Sequence, residues 1–316
     1  MIRPAPLGAA VCAVLAVAPA YSNDLDSADT SGAPLSEFDR IQVTATRTER
    51  AIVDVPASVD VIDRERLDDT LIRDIKRLVR FEPGVSVTSS FGRFGLGGFR
   101  IRGLDGNRVQ IQTDGIPVSD AFSIGSFASA NRNFVDLDTL KRVEIVRGPA
   151  SSLYGSDALG GVVAFVTKDP ADYLVDDKDA YFGLKFGYEG DWRGLLGGAT
   201  AAFGGDRWSG MVALSQRQGQ ETRNQGDNRS TGANRTASNP QDRDGNSVLA
   251  KLVFAPSDDQ RLRLTAESNE DNTETDVLTS VNATTRSLLG DDSQKRKRVS
   301  LTHEMDAVGA AMADSL

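Results

Sequence analysis

Few residues of this 316-residue chain could carry catalytic chemistry. It contains one histidine, His303, and one cysteine, Cys12, so most nucleophile, histidine and carboxylate triads are excluded. The sequence also lacks a Gly-x-Ser-x-Gly elbow, a His-Glu-x-x-His zinc pair and a phosphate-binding loop. We therefore predict that the chain is not an enzyme.

Two charged clusters have simpler explanations than a metal or nucleic-acid site. Asp242 to Gly245 resembles half of a calcium loop, but the distal glutamate is missing at the required spacing, so we predict a solvated loop. Lys295 to Arg298 is a basic run that we interpret as a solvated strand start or a contact to lipopolysaccharide phosphates. The net charge of -9 disfavours nucleic acid as a partner.

The amino terminus has the order of a secretory signal peptide. Arg3 precedes an apolar run from Leu7 to Ala18, and Ala18-Pro19-Ala20 supplies the small residues of a cleavage site. The run is too short to span a membrane as a helix. We expect residues 1–20 to be removed and residues 21–40, rich in Ser, Asp and Ala, to form a disordered periplasmic tail.

Residues 51–171 have the pattern of a small mixed α and β domain. Val59 to Ile62 predicts a strand, and the apolar spacing from Asp63 to Arg80 predicts a helix. The alternation from Phe99 to Thr113, interrupted by Leu104 to Asn107, predicts a hairpin. A soluble α+β domain would show the same local pattern.

A longer motif connects this domain to a known family. Residues Leu140 to Lys168 read LKRVEIVRGPASSLYGSDALGGVVAFVTK, preceded by Ile101-Arg102-Gly103 and Asp114-Gly115-Ile116-Pro117. Together these motifs resemble the plug domain of TonB-dependent outer-membrane receptors, and the resemblance covers nearly all of residues 55–170. It implies a plug inside a transmembrane barrel, energised from the inner membrane through the partner protein TonB.

The remainder, residues 175–316, has the pattern of about six amphipathic strands. In the first strand Phe182, Leu184, Phe186 and Tyr188 share one face. Short turns on one end and long polar loops on the other are typical of outer-membrane barrels, with the short turns on the periplasmic side. The predicted short turns are Gly204–Asp206 and Ala255–Gln260, and the predicted long loops are Gly219–Asn246 and Ser268–Lys295.

The predicted fold is thus an α+β plug followed by the first strands of an antiparallel transmembrane β-barrel, which has 22 strands in plugged transporters. An open sheet leaves its edges unpaired in a bilayer. We therefore expect the chain to be the amino-terminal part of a longer receptor, or a frameshifted product that cannot transport alone. The alternative is a soluble periplasmic binding or adhesion protein whose strands form a sandwich.

The segment 41–50 contains the extended sequence Ile41-Gln42-Val43-Thr44-Ala45-Thr46, which is similar to the TonB box of the family. An extended segment can add to the sheet edge of a partner through main-chain hydrogen bonds. An ordinary first strand of the plug is the alternative. The predicted TonB-binding residues are Ile41, Gln42, Val43, Thr44 and Ala45.

The resemblance also assigns roles inside the plug. Arg102 and Arg147 match arginines that family members bury against barrel glutamates, and the barrel partners are expected beyond residue 316. Two loops rich in Gly and Ser, 89–98 and 119–132, match loops that touch the ligand, although self-packing would suit them equally. Their predicted ligand-facing residues are Phe91, Arg93, Phe94, Phe122 and Phe127.

The plug motifs look most like those of the haem and haemoglobin branch, especially Gly98 to Gly103 and Asp114 to Phe122. This implies uptake of haem iron, with haem as the transported ligand and outer-membrane lipid around the barrel. A ferric siderophore or another nutrient is the alternative. Haem receptors often place an axial histidine in the plug, whereas His303 continues the lipid-facing register of Val299 and Leu301. We expect it to be an interfacial residue.

Overall fold

The computed structural model describes residues 42–43, 50–51, 58–90, 92–125, 127–175, 178–310 and 313–315. The predicted signal peptide, the predicted tail and most of the segment 41–50 lie outside these residues. Among the described residues no helix is long and apolar enough to cross a membrane. Two short strands open the described chain and pair antiparallel with each other, β1 (Gln42–Val43) and β2 (Arg50–Ala51).

The plug is built on a five-stranded sheet whose strands come from distant parts of the chain. The spatial order is β3, β10, β11, β6, β7, and only the β11–β6 pair is parallel. Its strands are β3 (Ser58–Asp63), β6 (Val109–Thr113), β7 (Ile116–Pro117), β10 (Leu140–Arg147) and β11 (Gly161–Thr167).

The helix predicted over Asp63–Arg80 is two short helices, α1 (Arg64–Asp69) and α2 (Ile75–Leu78). Each begins at an aspartate whose carboxylate accepts a hydrogen bond from a backbone N–H of the first turn, Asp63 and Asp74. Between them Leu71 adopts a left-handed conformation with φ 49°, which interrupts the helix. The other apolar residues of this stretch, Leu67, Ile72, Ile75, Leu78 and Val79, are buried in the core, whereas Leu71 is exposed.

The predicted hairpin from Phe99 to Thr113 is wrong. The structure instead pairs β5 (Gly95–Ile101) with the preceding strand β4 (Val85–Ser90), and β6 joins the other sheet beside β11. Arg102 and Gly103 have φ values of 48° and 85°, so the chain turns out of one sheet and into the other. A second small hairpin, β8 (Phe122–Ile124) with β9 (Ala128–Ala130), and a short helix α3 (Ser151–Tyr154) complete the plug.

The plug core lies between the sheet, the two helices and the β4–β5 hairpin. Burying each of its large aliphatic side chains contributes about 1.5–3 kcal/mol, which is the main stabilisation of so small a domain. Its fully buried members include Ile62, Leu67, Ile75, Ile101, Ile111, Leu140 and Ile145.

After the plug, seven strands form one antiparallel sheet in sequence order, called the wall below. Its strands are β12 (Ala180–Glu189), β13 (Gly194–Gly204), β14 (Trp208–Gln220), β15 (Gln241–Ser257), β16 (Gln260–Asp276), β17 (Leu289–Ala310) and β18 (Ala313–Ser315).

The two faces of the wall differ as predicted. The outward face is apolar and exposed, with Phe182 70% and Val299 77% accessible, and His303 lies on it too. No second sheet of the described chain covers that face, so the alternative sandwich does not form there. The predicted architecture, an α+β plug followed by antiparallel barrel strands, is confirmed.

The wall strands are longer than predicted. Connections 205–207 and 258–259 are short and define the short-turn end of the wall, while 221–240 and 277–288 lie at the opposite, long-loop end together with the short connection 190–193. Asp242–Gly245, predicted to be a solvated loop, is part of β15. Polar residues continue these strands because they pair across the sheet and with the plug, so apolar alternation is not needed.

Candidate functional site: the interface between plug and wall

Charged side chains on the inward face of the wall pair with oppositely charged side chains of the plug at three levels. The level nearest the short-turn end, called the basal cluster, joins Asp114 and Asp169 of the plug to three cations of the wall. Lys251 donates to Asp169 Oδ1 at 2.8 Å, and its side chain is only 2% exposed. Arg263 contacts Asp169 Oδ2 at 2.9 Å, and Arg298 donates to Asp114 Oδ2 at 2.7 Å. Buried ions of opposite charge are thus paired across two domains.

Asp114 is oriented by hydrogen bonds within the plug as well as by the wall. The residue lies in the tight turn between β6 and β7, where it adopts φ 48°. Its carboxylate accepts hydrogen bonds from the N–H and the hydroxyl of Thr167 on β11, at 2.8 and 2.7 Å. Burial alone would raise the pKa of Asp114, but Lys251, Arg298 and these hydrogen bonds hold it below its ordinary value. Asp114 is therefore an anion at neutral pH.

The middle cluster forms around the 3₁₀ turn just before β10. Asp136 accepts hydrogen bonds from Ser215 and Arg217 of β14. Asp138 accepts one from Lys185 Nζ of β12 at 2.6 Å. Burial raises the pKa of Asp138, and Lys185 together with nearby arginines more than offsets that effect, so its pKa is lowered.

The third level, called the outer clamp, holds the tip of the β4–β5 hairpin near the long-loop end. Arg93 makes a bidentate pair with Asp292 of β17, at 2.7 and 2.9 Å. The side-chain amides of Asn239 and Gln241 donate to the carbonyls of Gly92 and Arg93, at 2.8 and 2.9 Å. The hairpin tip is therefore bound through its backbone as well as its charge.

A glycine makes the outer clamp possible. A Cβ at Gly290 of β17 would lie 2.5 Å from Nε of Arg93, closer than any real contact. Arg93 fills the space that a side chain would take, so a larger residue at this position would have to displace its guanidinium.

Residues 51–162 match the family described as TonB-dependent Receptor Plug Domain. The curated relatives agree with this match. The chain is 32% identical over 231 residues to lactoferrin-binding protein A of Neisseria meningitidis serogroup B, covering 70% of this chain and 24% of that protein. It is 32% identical over 238 residues to haemoglobin-binding protein A of Haemophilus influenzae, covering 71% and 23%. The chain belongs to the TonB-dependent receptors.

A solved structure shares the fold of this TonB-dependent receptor chain. It is the ferripyoverdine receptor of the outer membrane of Pseudomonas aeruginosa, with a TM-score of 0.63 and 18% identity, covering 85% of this chain and 34% of that one. The chain spans about a quarter of the length of the curated relatives. As a TonB-dependent receptor it is an outer-membrane protein of a Gram-negative bacterium, as the sequence predicted.

Arg102 and Arg147 were expected to pair with barrel glutamates and so to lock the plug in the barrel. Their contacts in the structure lie within the plug. Arg147 pairs with Asp60 of β3 at 2.7 Å and donates to the carbonyl of Pro83 at 2.9 Å. Arg102 is exposed, at the turn that follows β5. Neither pairs with a glutamate of the described wall, and because their barrel partners were expected beyond residue 316, the lock stays a prediction.

The predicted ligand-facing residues of the receptor fall into two groups. Arg93 belongs to the outer clamp, and its guanidinium lies 4.9 Å from the ring centroid of Phe94. Phe122 and Phe127, on and beside the β8–β9 hairpin, are 57% and 82% exposed. Phe91 lies outside the described residues. Among the described residues of this predicted set, the exposed aromatic rings are those of Phe122 and Phe127, and a ligand role for the set stays a prediction.

In the predicted TonB box, Gln42–Val43 is extended and pairs with Arg50–Ala51. Ile41, Thr44 and Ala45 lie outside the described residues. Docking to TonB stays a prediction.

The inward cations of the receptor wall are only weakly indicated by the sequence. Lys295–Arg298 was interpreted as solvated, but the alternation of β17 turns Arg296 and Arg298 inward, where both bind Glu267, at 3.0 and 2.7 Å. That interpretation was wrong for the inward pair. The signal that could have found them was basic residues two apart on a strand, a spacing that places both on one face.

Proposed function

We propose that this chain forms the amino-terminal part of a TonB-dependent receptor that takes up haem iron, from haem or from haemoglobin, at the bacterial surface. The similarity to the haemoglobin-binding protein of Haemophilus influenzae, which extends beyond the plug into the wall, is the observation that carries the proposal. Haem is the transported ligand in this proposal and not a resident cofactor.

The geometry supports a closed resting state. In outer-membrane barrels the long loops face outward, so the outer clamp lies near the cell surface and the basal cluster near the periplasm. The ion pairs hold the plug against the wall at three levels, and removing one partner of a buried pair costs about 3–5 kcal/mol. Opening a path therefore requires work, which we assign to TonB and its inner-membrane complex.

TonB would bind Ile41, Gln42, Val43, Thr44 and Ala45 by strand addition and pull the plug towards the periplasm. A hydrogen-bonded strand loaded along its length resists pulling because its bonds share the load. At the opposite end, Phe122 and Phe127 offer exposed aromatic surface to the incoming ligand. Arg102 and Arg147 would complete the lock with glutamates of further barrel strands.

The test uses the native host growing on haemoglobin as its sole iron source. Deleting Ile41–Ala45 from the receptor is expected to abolish growth while binding of haemoglobin to the cell surface persists. A deletion of equal length in the predicted tail, Thr30–Pro34, is the control and should leave growth unchanged. Normal growth of the Ile41–Ala45 deletion would overturn the TonB-docking role.

The alternative ligand, a ferric siderophore, is tested in the same strains. The ferripyoverdine receptor shares only the fold with this chain at 18% identity, so its ligand is no guide here. If the receptor supports growth on ferric siderophores and not on haem or haemoglobin, the haem proposal fails and the family assignment stands.

A further inference from the structure

A cavity of about 740 Å³ lies between plug and wall in the half nearer the long-loop end. Helix α2 and the β4–β5 hairpin line one side of it, and the inward faces of β13 to β16 line the other. Its volume falls in the range of about 300–1,000 Å³ that is typical of sites for small organic ligands. The ion pairs described above do not fill it.

One side of the cavity is formed by an aromatic ring whose orientation is fixed. The indole of Trp192 lies over two glycines of neighbouring strands, because a Cβ at Gly194 or Gly219 would fall about 2.2 and 2.1 Å from its ring atoms. Its Nε1 donates to Glu189 Oε2 at 3.0 Å, which fixes the orientation of the ring. The half-buried indole thus presents a flat apolar face to the cavity, and Leu196 continues this apolar surface.

The sheet register places the cation Arg243 beside this ring. Arg243 of β15 lies opposite Gly219 of β14 in the sheet register, so the two positions share the inward face and are about 5 Å apart at Cα. The indole occupies the space above Gly219. Trp192 and Arg243 are therefore neighbours on the floor of the cavity.

Among the described residues no carboxylate forms a direct salt bridge with the guanidinium of Arg243, although Glu221 is close enough to interact with its charge. Its hydrogen bonds go to Gln241 Oε1, an uncharged acceptor on the same strand. Arg77 and Arg93 of the cavity pair with Glu189 and Asp292, and the further lining arginine Arg80 is exposed. A carboxylate entering the cavity would meet in Arg243 a cation that makes no direct salt bridge within the described residues.

We propose that this cavity is a binding site for a flat, apolar carboxylate of the porphyrin class, with its ring stacked on Trp192 and one carboxylate on Arg243. An aromatic face supplies area and orientation for a planar ring, and an arginine binds a carboxylate through two parallel hydrogen bonds. The choice of ligand rests on the proposed function. The cavity lies between plug and wall near the long-loop end, where a ligand entering from the cell surface would pass.

The experiment titrates the purified native receptor with protoporphyrin IX, which has the carboxylates of haem but no iron and so cannot be held by an axial ligand. Binding is followed by porphyrin absorbance and by quenching of tryptophan fluorescence. Arg243→Gln is expected to raise Kd about tenfold, and Arg243→Lys by less because the charge is kept. Arg223→Gln, an exposed arginine of the long connection, is the control and should bind as the parent does.

Two further titrations separate ring from charge. The dimethyl ester of protoporphyrin IX should bind the parent receptor and Arg243→Gln equally weakly, because it has no carboxylate for the guanidinium. Trp192→Phe should remove most of the fluorescence quenching caused by the acid. Equal Kd values of the acid for the parent and Arg243→Gln, or unchanged quenching in Trp192→Phe, would overturn the proposed site.

Failure of this site and failure of the proposed function give different results. If haemoglobin supports growth through the receptor and Arg243→Gln binds protoporphyrin as the parent does, only the cavity site is wrong. If the porphyrin binds in an Arg243-dependent way and haemoglobin supports no growth, only the transport proposal is wrong.

Discussion

Arg298 of the wall donates to Asp114 of the plug at 2.7 Å, across 184 residues of sequence. The same guanidinium binds Glu267 of the neighbouring strand at 2.7 Å and the carbonyl of Thr113 at 3.1 Å. One buried side chain therefore connects two strands of the wall to the turn that ends a plug strand. An uncompensated buried charge is costly. We therefore expect substitution of Arg298 to weaken the attachment of the plug to the wall more than substitution of other residues.

Arg298→Gln is predicted to loosen the plug by about 3–5 kcal/mol, because it leaves Asp114 and Glu267 without their common cation. Amide hydrogen exchange of residues 109–118 in the purified receptor measures the loss of protection. Arg207→Gln, at an exposed arginine of a short turn, is the matched control. If protection is unchanged in Arg298→Gln, the basal cluster does not hold the plug.

Gly290→Ala is predicted to displace Arg93 and to open the outer clamp, because the new Cβ would lie 2.5 Å from Arg93 Nε. The β4–β5 hairpin should then exchange its amide hydrogens faster, while the plug sheet keeps its protection. Gly197→Ala is the control, since a Cβ there meets nothing within 4 Å. Equal exchange in both variants would show that Gly290 serves no contact with the plug.

The pH dependence of plug seating follows from Asp114 and Asp138, whose pKa values are lowered in the folded receptor. A carboxyl group with a lowered pKa contributes stability that is complete above its unfolded pKa of about 3.9 and is lost as the pH falls through the folded value. Protection of the plug amides against hydrogen exchange should therefore be constant from about pH 8 to 5 and decrease only below about pH 4. A loss centred near pH 6 would contradict the assignment to these carboxylates.

Phe127→Ser is predicted to weaken binding of haemoglobin to the cell surface without changing the stability of the receptor. The ring is 82% exposed, and substitutions at such positions change stability by no more than about 0.5 kcal/mol. Phe81→Ser, at a phenylalanine that is 69% exposed outside both predicted ligand loops, is the control. Undiminished binding by Phe127→Ser would remove this residue from the ligand surface.

Local pattern was enough for the outward face of the wall, but not for the ends of its strands, since Asp242–Gly245 belongs to β15. Apolar residues two apart predicted the outward face, and Phe182 and Val299 do lie exposed on it. The pairing of β6 with β11 was not predictable in the same way, because a parallel pair joins residues that are far apart in sequence and share no turn. The hairpin error follows from this, since β6 was assigned to its nearest neighbour.

The interface was the least predictable part. A carboxylate such as Asp114 reads as an ordinary turn residue in an Asp-Gly pair, and Lys251 reads as the polar side of an amphipathic strand. These residues are buried because the plug packs against the wall, and a local sequence pattern cannot predict such packing between domains. The glycines at 194 and 219 likewise acquire their meaning only once Trp192 lies over them.

We propose that the plug must leave the wall for uptake to occur, and a reversible cross-link between plug and wall tests this requirement. Asp136 and Ser215 are in hydrogen-bond contact, and the only cysteine of the chain is Cys12 in the predicted signal peptide, so Asp136→Cys with Ser215→Cys would introduce a single plug-to-wall disulfide. The measurement is haem-iron uptake from haemoglobin by cells that carry the oxidised receptor. We predict normal surface binding, no uptake, and recovery of uptake on adding a reductant. Uptake that continues through a fully formed cross-link would contradict the account.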